Sequence, residues 1–325
     1  MRWIKKGIVY CPDGRQPWAR THAMVPTPFH LNEEVIRVFV TSLDDNGVGR
    51  PGYVDVSASD PSRVLSVSPR PLLEPGRPGT FDERGVLACS VTRGEGGRLF
   101  LYYVGFEPCV NIRYRLLTGL AISDDGGETF TRFSQIPVLE RSSEELFFRG
   151  GPFCIYDPPH YRLWYVAGSD WIEMDGKAFP VYDIRYLESE DGYRWAGVGE
   201  VQLKVTESDE HGFGRPYVVR KPDGGYALFY SVRRRSFQAY RLGYAESTDG
   251  CHWTRMDGAL NLDVTPGSFD SEAVMYAAPF QVGEKQYLFY NGNDFGRDGF
   301  ALAEMAPLDQ LPQPQLPKPP NMEQG

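Results

Sequence analysis

Short runs of β-branched and aromatic residues alternate with breaks rich in Gly, Pro and Asp along nearly the whole chain. The clearest runs cover residues 35–40, 99–104, 161–166, 226–230 and 287–290. Side chains of this type fill a pleated, half-buried surface, and the breaks between them carry turn chemistry. No segment holds a helical period with caps at both ends, and 35 Gly and 26 Pro leave little room for long helices. The pattern predicts strands throughout.

The runs recur about every 60 residues, and a fixed period of that size signals a repeated supersecondary unit. Each run has an apolar strand before it and another after it. Three of the following strands enter a turn of one kind: Ser123-Asp124-Asp125-Gly126, Ser189-Glu190-Asp191-Gly192 and Ser247-Thr248-Asp249-Gly250. Asp-Gly supplies the tight turn, and Phe130, Trp195 and Trp253 shortly afterwards restart a strand that packs inward. Four strands per unit and five units give an all-β, five-bladed β-propeller of four-stranded blades. The fifth unit has strands expected near 272–280, 286–291 and 300–305 but no fourth of its own. Trp3 to Tyr10 forms an unassigned strand ahead of unit one, so the last blade is expected to be closed by the N-terminal strand, which removes two open edges. Residues 1–305 are read as one propeller domain and 306–325 as a Pro-rich disordered tail.

Charge narrows the partners. With 34 Lys and Arg against 43 Asp and Glu the chain carries −9, which argues against nucleic acid. No stretch approaches the about 20 apolar residues that span a bilayer, and no apolar segment follows the basic start, so a cytoplasmic protein is expected. Five scattered cysteines without a CxxC pair exclude a disulfide scaffold, a zinc finger and a thioredoxin-like site. There is no Walker loop and no GxSxG elbow.

The Ser-x-Asp-Gly-x-x-Trp turns resemble those of the five-bladed β-propeller glycosidase superfamily, which holds arabinanases and β-xylosidases, invertases and fructansucrases, and mannoside phosphorylases. The first turn, with Gly127 and Thr129, is similar to the Asp-box of sialidases. Residues 81–86 (Phe-Asp-Glu-Arg-Gly-Val) and 18–28, from Trp18 to Pro28, resemble an uncharacterised bacterial glycosidase-like group associated with surface-polysaccharide genes. The resemblance covers residues 1 to about 305 and implies that two sets of loops converge on a funnel: the lead-in to each first strand and the loop between second and third strands.

Each lead-in segment carries a charged or ionisable residue before an apolar run. Glycosidic cleavage needs one carboxyl held protonated and a second ionised. Asp82 from unit two and Glu272 from unit five are the expected acid/base pair, Glu272 as general acid and Asp82 as base. Glu83 and Asp270 stand beside them as substrate-binding residues. The arabinanase and invertase branches place a catalytic Asp where this chain has Thr21-His22-Ala23. That departure leaves His22 in the catalytic position and puts the three-acid arrangement in doubt; phosphorolysis needs fewer carboxylates.

Arginines concentrate in the same segments. Arg pairs bidentately with carboxylate and phosphate, so Arg149 and Arg215 are expected anion clamps, with Arg84 and Arg20 in other lead-in segments and Arg113, Arg115 and the run Arg233-Arg234-Arg235 in the neighbouring loops, Arg234 and Arg235 being read as ordinary solvated charge. Trp171 is the expected sugar-stacking ring. The expected ligand is a small sugar, anionic or activated, and no cofactor is called for, though a divalent metal at the channel mouth stays open. The leading function is hydrolysis or phosphorolysis of its glycosidic bond. The alternatives are a non-hydrolytic propeller that binds a sugar or serves as an assembly platform, and transfer or elimination on a biosynthetic sugar intermediate.

Overall fold

The computed structural model describes residues 1–236 and 239–306. Among these the chain is almost entirely strand; its helical pieces are single turns at Glu95–Gly97, Asp257–Ala259 and Asn293–Gly296. After β1 (Trp3–Tyr10) the strands follow one another as antiparallel meanders. The first is β2 (Thr21–His30), β3 (Val35–Leu43), β4 (Gly49–Ser57) and β5 (Val64–Val67). The second is β6 (Val86–Arg93), β7 (Leu99–Pro108), β8 (Tyr114–Ser123) and β9 (Thr131–Arg132). Next come β10 (Phe148–Asp157), β11 (His160–Met174), β12 (Lys177–Ser189) and β13 (Glu200–Leu203), and then β14 (Glu210–Arg220), β15 (Tyr226–Arg234), β16 (Tyr240–Ser247) and β17 (Thr254–Arg255). The last has β18 (Met275–Val282), β19 (Lys285–Asn291) and β20 (Phe300–Met305), and β1 pairs antiparallel with β20 from Trp3 opposite Met305 to Tyr10 opposite Phe300. The expected Pro-rich tail lies outside the described residues, apart from Ala306.

The Ser-x-Asp-Gly turns explain how neighbouring meanders dock. Ser123 Oγ donates to Asp125 Oδ1 at 2.7 Å, and that oxygen accepts the amides of Glu128 and Thr129. The same bonds recur at Ser189–Asp191 and Ser247–Asp249, with Gly126, Gly192 and Gly250 at φ between 76 and 78°. A residue with a Cβ is disfavoured at that φ, so the Gly is required. Each turn then presents carbonyls to the second strand of the preceding meander: Arg37 donates to Gly127 O, Tyr102 to Gly192 O and Trp164 Nε1 to Gly250 O.

The core lies between meanders. One cluster packs Phe39 of β3 against Leu101 and Tyr103 of β7, another Tyr102 against Leu163 and Tyr165 of β11. A third joins Val38 and Val54 of the first meander to Phe289 and Leu302 of the last.

Candidate active site: a cationic cavity

The inner strands are all kinked at one place. Register slips by a bulge between Met24 and Thr27 in β2, Ala88 and Ser90 in β6, Gly150 and Phe153 in β10, Gly214 and Tyr217 in β14, and Met275 and Ala278 in β18. Val25, Gly151, Arg215 and Tyr276 take positive φ there, at 55, 57, 35 and 58°. Bulges re-aim a side chain, and left-handed backbone at Val, Arg and Tyr is strained, a condition that concentrates at functional sites. Together with Cys89 these residues line one cavity of about 770 Å³, within the range of small-molecule sites.

The walls come from the loops between second and third strands. Arg113 precedes β8 and Tyr114 starts it, Lys177, Phe179 and Tyr182 lie on β12, Arg233 lies at the end of β15 next to its last residue, Tyr240 starts β16, and Phe295 follows β19. Arg84, from the lead-in to β6, completes the cations. None of the described lining residues is Asp or Glu, and none of the five cations has a carboxylate at ion-pair distance among the described residues.

Two of the cations are held inside. The Arg215 guanidinium is 3% exposed and sits in a cage of uncharged oxygens. Nη1 donates to Tyr276 O and Ala277 O, each at 3.2 Å; Nη2 donates to Pro26 O at 3.1 Å, Thr27 Oγ1 at 2.8 Å and Cys89 O at 3.3 Å. Burial without a counter-carboxylate lowers its pKa to about 10, still protonated at neutral pH. Arg233 lies over the Tyr240 ring at 4.6 Å, and its buried Nε has no hydrogen-bond partner among the described residues. Tyr182 and Tyr240 share a hydroxyl contact of 3.1 Å. Burial raises the pKa of Tyr114 to about 12 and those of Tyr182, Tyr240 and Tyr276 further. Four neutral phenols therefore stand beside Arg233. Gly214 leaves space for one of them, because a Cβ there would meet Tyr240 Oη at 2.9 Å.

Of the expected site residues, Arg84 and Arg215 line this cavity, with Arg113 and Arg233 from the neighbouring loops, and the others do not. The structure does not bring Asp82 and Glu272 together on it. Asp82 is fully buried, with Arg132 Nη2 at 2.7 Å, Tyr103 Oη at 3.1 Å and Thr80 Oγ1 at 3.0 Å. Asp270 is also fully buried, held by Lys5 Nζ at 2.5 Å and Tyr290 Oη at 3.2 Å. Arg149 is spent on Glu145 at 3.0 Å, Tyr165 Oη and two carbonyls, so it does not clamp an anion in the cavity. Glu83 accepts the Gly79 amide, Glu272 is exposed, and Trp171 packs on Tyr114 and Phe148. His22 is half-buried against Thr21 Oγ1, and its pKa is lowered by burial first and by Arg297 second.

The residues that sequence reasoning left out are mostly tyrosines. Tyr182 and Tyr240 stand at one repeat position, seven residues before the turn serines Ser189 and Ser247, so the repeat itself carried the signal. Among the described residues no group of three or more His, Cys, Asp or Glu is arranged to hold a metal ion, and no helix is long and apolar enough to cross a membrane.

Solved structures share this fold. A glycoside hydrolase matches with a TM-score of 0.72 at 16% identity, covering 94% of this chain and 92% of its own. A thermostable family-43 glycoside hydrolase matches with 0.66 at 16% identity, covering 90% and 93%. At those identities the likeness is one of fold, a glycosidase-like propeller. No family model matches the chain. The Uncharacterized protein Rv1502 of Mycobacterium tuberculosis (strain ATCC 25618 / H37Rv) is 33% identical over 303 residues, spanning 93% of this chain and 99% of that protein. The chain belongs to the family of Rv1502.

Proposed function

We propose that this protein is a five-bladed propeller, closed by β1, whose cavity binds an anionic sugar. The observation that carries the reading is the lining: five cations, four neutral phenols and no carboxylate among the described residues. Hydrolysis by paired carboxyls needs two of them about 5–10 Å apart across the bond, and the cavity offers neither. An anion entering it supplies the charge that Arg233 and Arg215 lack, in a low-dielectric setting where a charge-assisted hydrogen bond is roughly twice as strong as a neutral one. The phenols donate to the same anion or to sugar hydroxyls, and the aromatic walls face the ring. The fold shared with glycoside hydrolases supports a sugar as the body of the ligand. This favours sugar binding without carboxylate-driven hydrolysis over the Asp82–Glu272 mechanism.

The test is thermal unfolding of the full chain with glucuronic, galacturonic and N-acetylneuraminic acids, against glucose, xylose and arabinose. At about 100 times its dissociation constant a true ligand adds roughly 2.7 kcal/mol to stability. An acid that raises Tm in the wild type but not in Arg233→Met supports the reading. A response confined to neutral sugars, or turnover of a glycoside that Asp82→Asn and Glu272→Gln abolish, refutes it.

A further inference from the structure

We infer that the ligand is a sugar with two separate anionic groups, a carboxylate bound at the inner end of the cavity and a phosphate ester at the outer end. The inference rests on the anionic-sugar reading and assigns its two ends. The five lining cations fall into two sets by burial. Arg215 and Arg233 are inside: the first is 3% exposed, and the second has a buried, unpartnered Nε. Arg84, Arg113 and Lys177 are exposed, on three different segments of the chain.

The inner set suits one negative charge on a planar group. Arg215 has both terminal nitrogens committed to main-chain and Thr27 oxygens and keeps only a buried, unpartnered Nε, so it contributes field more than hydrogen bonds. Arg233 keeps its Nε–H free beside neutral phenols, and one guanidinium edge with phenol donors matches the two oxygens of a carboxylate. A multiply charged, strongly hydrated group would lose more hydration there than one guanidinium edge returns.

The outer set suits the opposite. Arg113 is pinned over the cavity wall by Nη1 donating to Ala178 O at 2.9 Å, which brings the loop before β8 to the tip of the β11–β12 hairpin, where Lys177 stands. Arg84 approaches from the lead-in to β6, its own amide bonded to Phe106 O. Three solvated cations around one opening neutralise a dianionic phosphate while leaving it partly in water. Phe106 and Tyr114, 5.0 Å apart, lie among these residues of the lining, and a volume of about 770 Å³ holds a sugar ring with both substituents.

Titration calorimetry on the full chain tests this with glucuronic acid, glucose 1-phosphate, glucuronic acid 1-phosphate, the corresponding galacto-configured set and inorganic phosphate. The uronic acid 1-phosphate is expected to bind at least about tenfold more tightly than either monoanion, because its second group binds at a high effective concentration. The combined variant Arg84→Ala, Arg113→Ala, Lys177→Ala is expected to reduce it to the affinity of the free uronic acid, leaving that affinity unchanged. Arg233→Met, with Arg233→Lys as a variant that keeps the charge, is expected to reduce it to the affinity of the sugar phosphate. No gain for the doubly charged sugar while the monoanions bind overturns the two-anion inference alone. Equal loss of uronic acid and uronic acid 1-phosphate in the combined variant overturns it too, as does inorganic phosphate binding that matches glucose 1-phosphate. Failure of every anionic sugar overturns the anionic-sugar reading and this inference with it.

Discussion

Arg132, Arg149 and Arg255 on one hand, and Arg84, Arg113 and Arg233 on the other, are one side chain in opposite electrostatic situations. The first three close a repeated latch. Asp82, Glu145 and Glu210, each at most 1% exposed, are paired by Arg132 at 2.7 Å, Arg149 at 3.0 Å and Arg255 at 2.8 Å. A tyrosine from the second strand completes each: Tyr103 and Tyr165 donate to the acid, and Tyr230 accepts from Arg255. Asp270, Lys5 and Tyr290 repeat the arrangement in the last meander. The second three line a cavity whose described residues include no acid. On a chain of net charge −9, cations grouped without carboxylates are not explained by shortage of acids. They are explained by an anion that arrives from outside.

The sharpest break of the comparison is removal of residues 2–10. That deletion takes away the β1–β20 ladder and the Lys5 partner of Asp270 at once, exposing an edge and leaving a buried charge unpaired. Urea unfolding is expected to lose its cooperative transition or to move by more than any single substitution does. Next comes Asp82→Asn. Leaving Arg132 without its buried partner costs about 3 kcal/mol in unfolding free energy, while ligand affinity measured on the folded fraction stays at the wild-type value. A large loss of affinity at unchanged stability would return Asp82 to the site. Arg233→Met is expected to behave in the opposite way: its loss breaks no ion pair, so the unfolding free energy changes by about 1 kcal/mol or less, and anion affinity falls by roughly tenfold or more.

The smallest effect concerns the turns. Amide and hydroxyl donors hold the exposed Asp125 carboxylate well below the usual range, against the opposing effect of burial. A depressed carboxylate stabilises the fold fully above its unfolded value of about 3.9, and that stabilisation is lost as pH falls through the folded value. Asp125→Asn is therefore expected to be slightly less stable than wild type at pH 7, with the gap narrowing below about pH 4. A gap independent of pH would place the effect in the turn's hydrogen bonds and not in its charge.

Much of the architecture was legible. The strands at residues 35–40, 99–104, 161–166, 226–230 and 287–290 all lie within observed second strands, and Trp3–Tyr10 pairs beside the last strand. Period and turn chemistry are local properties, so sequence carries them. The latches were partly legible as well. An acid precedes a second-strand tyrosine by 21 residues at Asp82–Tyr103 and by 20 at Glu145–Tyr165 and Asp270–Tyr290. A catalytic carboxylate has no reason to recur in four meanders, so that repetition favours a structural role for Asp82.

Sequence by itself determined the all-β meanders, the Ser-x-Asp-Gly turns and the anomaly of arginine-rich loops on an acidic chain. Tertiary structure alone decided which arginines are paired. A lead-in acid and a loop arginine look alike along the chain, but a partner from another strand absorbs one, while a bulge turns the other to the cavity. Arg149 and Arg215, alike as Gly-flanked arginines at inner-strand starts, were separated in this way: Glu145 neutralises the first, and the second keeps its charge among carbonyl oxygens at the cavity floor. Charge is written in the sequence, whereas its neutralisation depends on contacts between residues far apart in it, and those exist only in the fold.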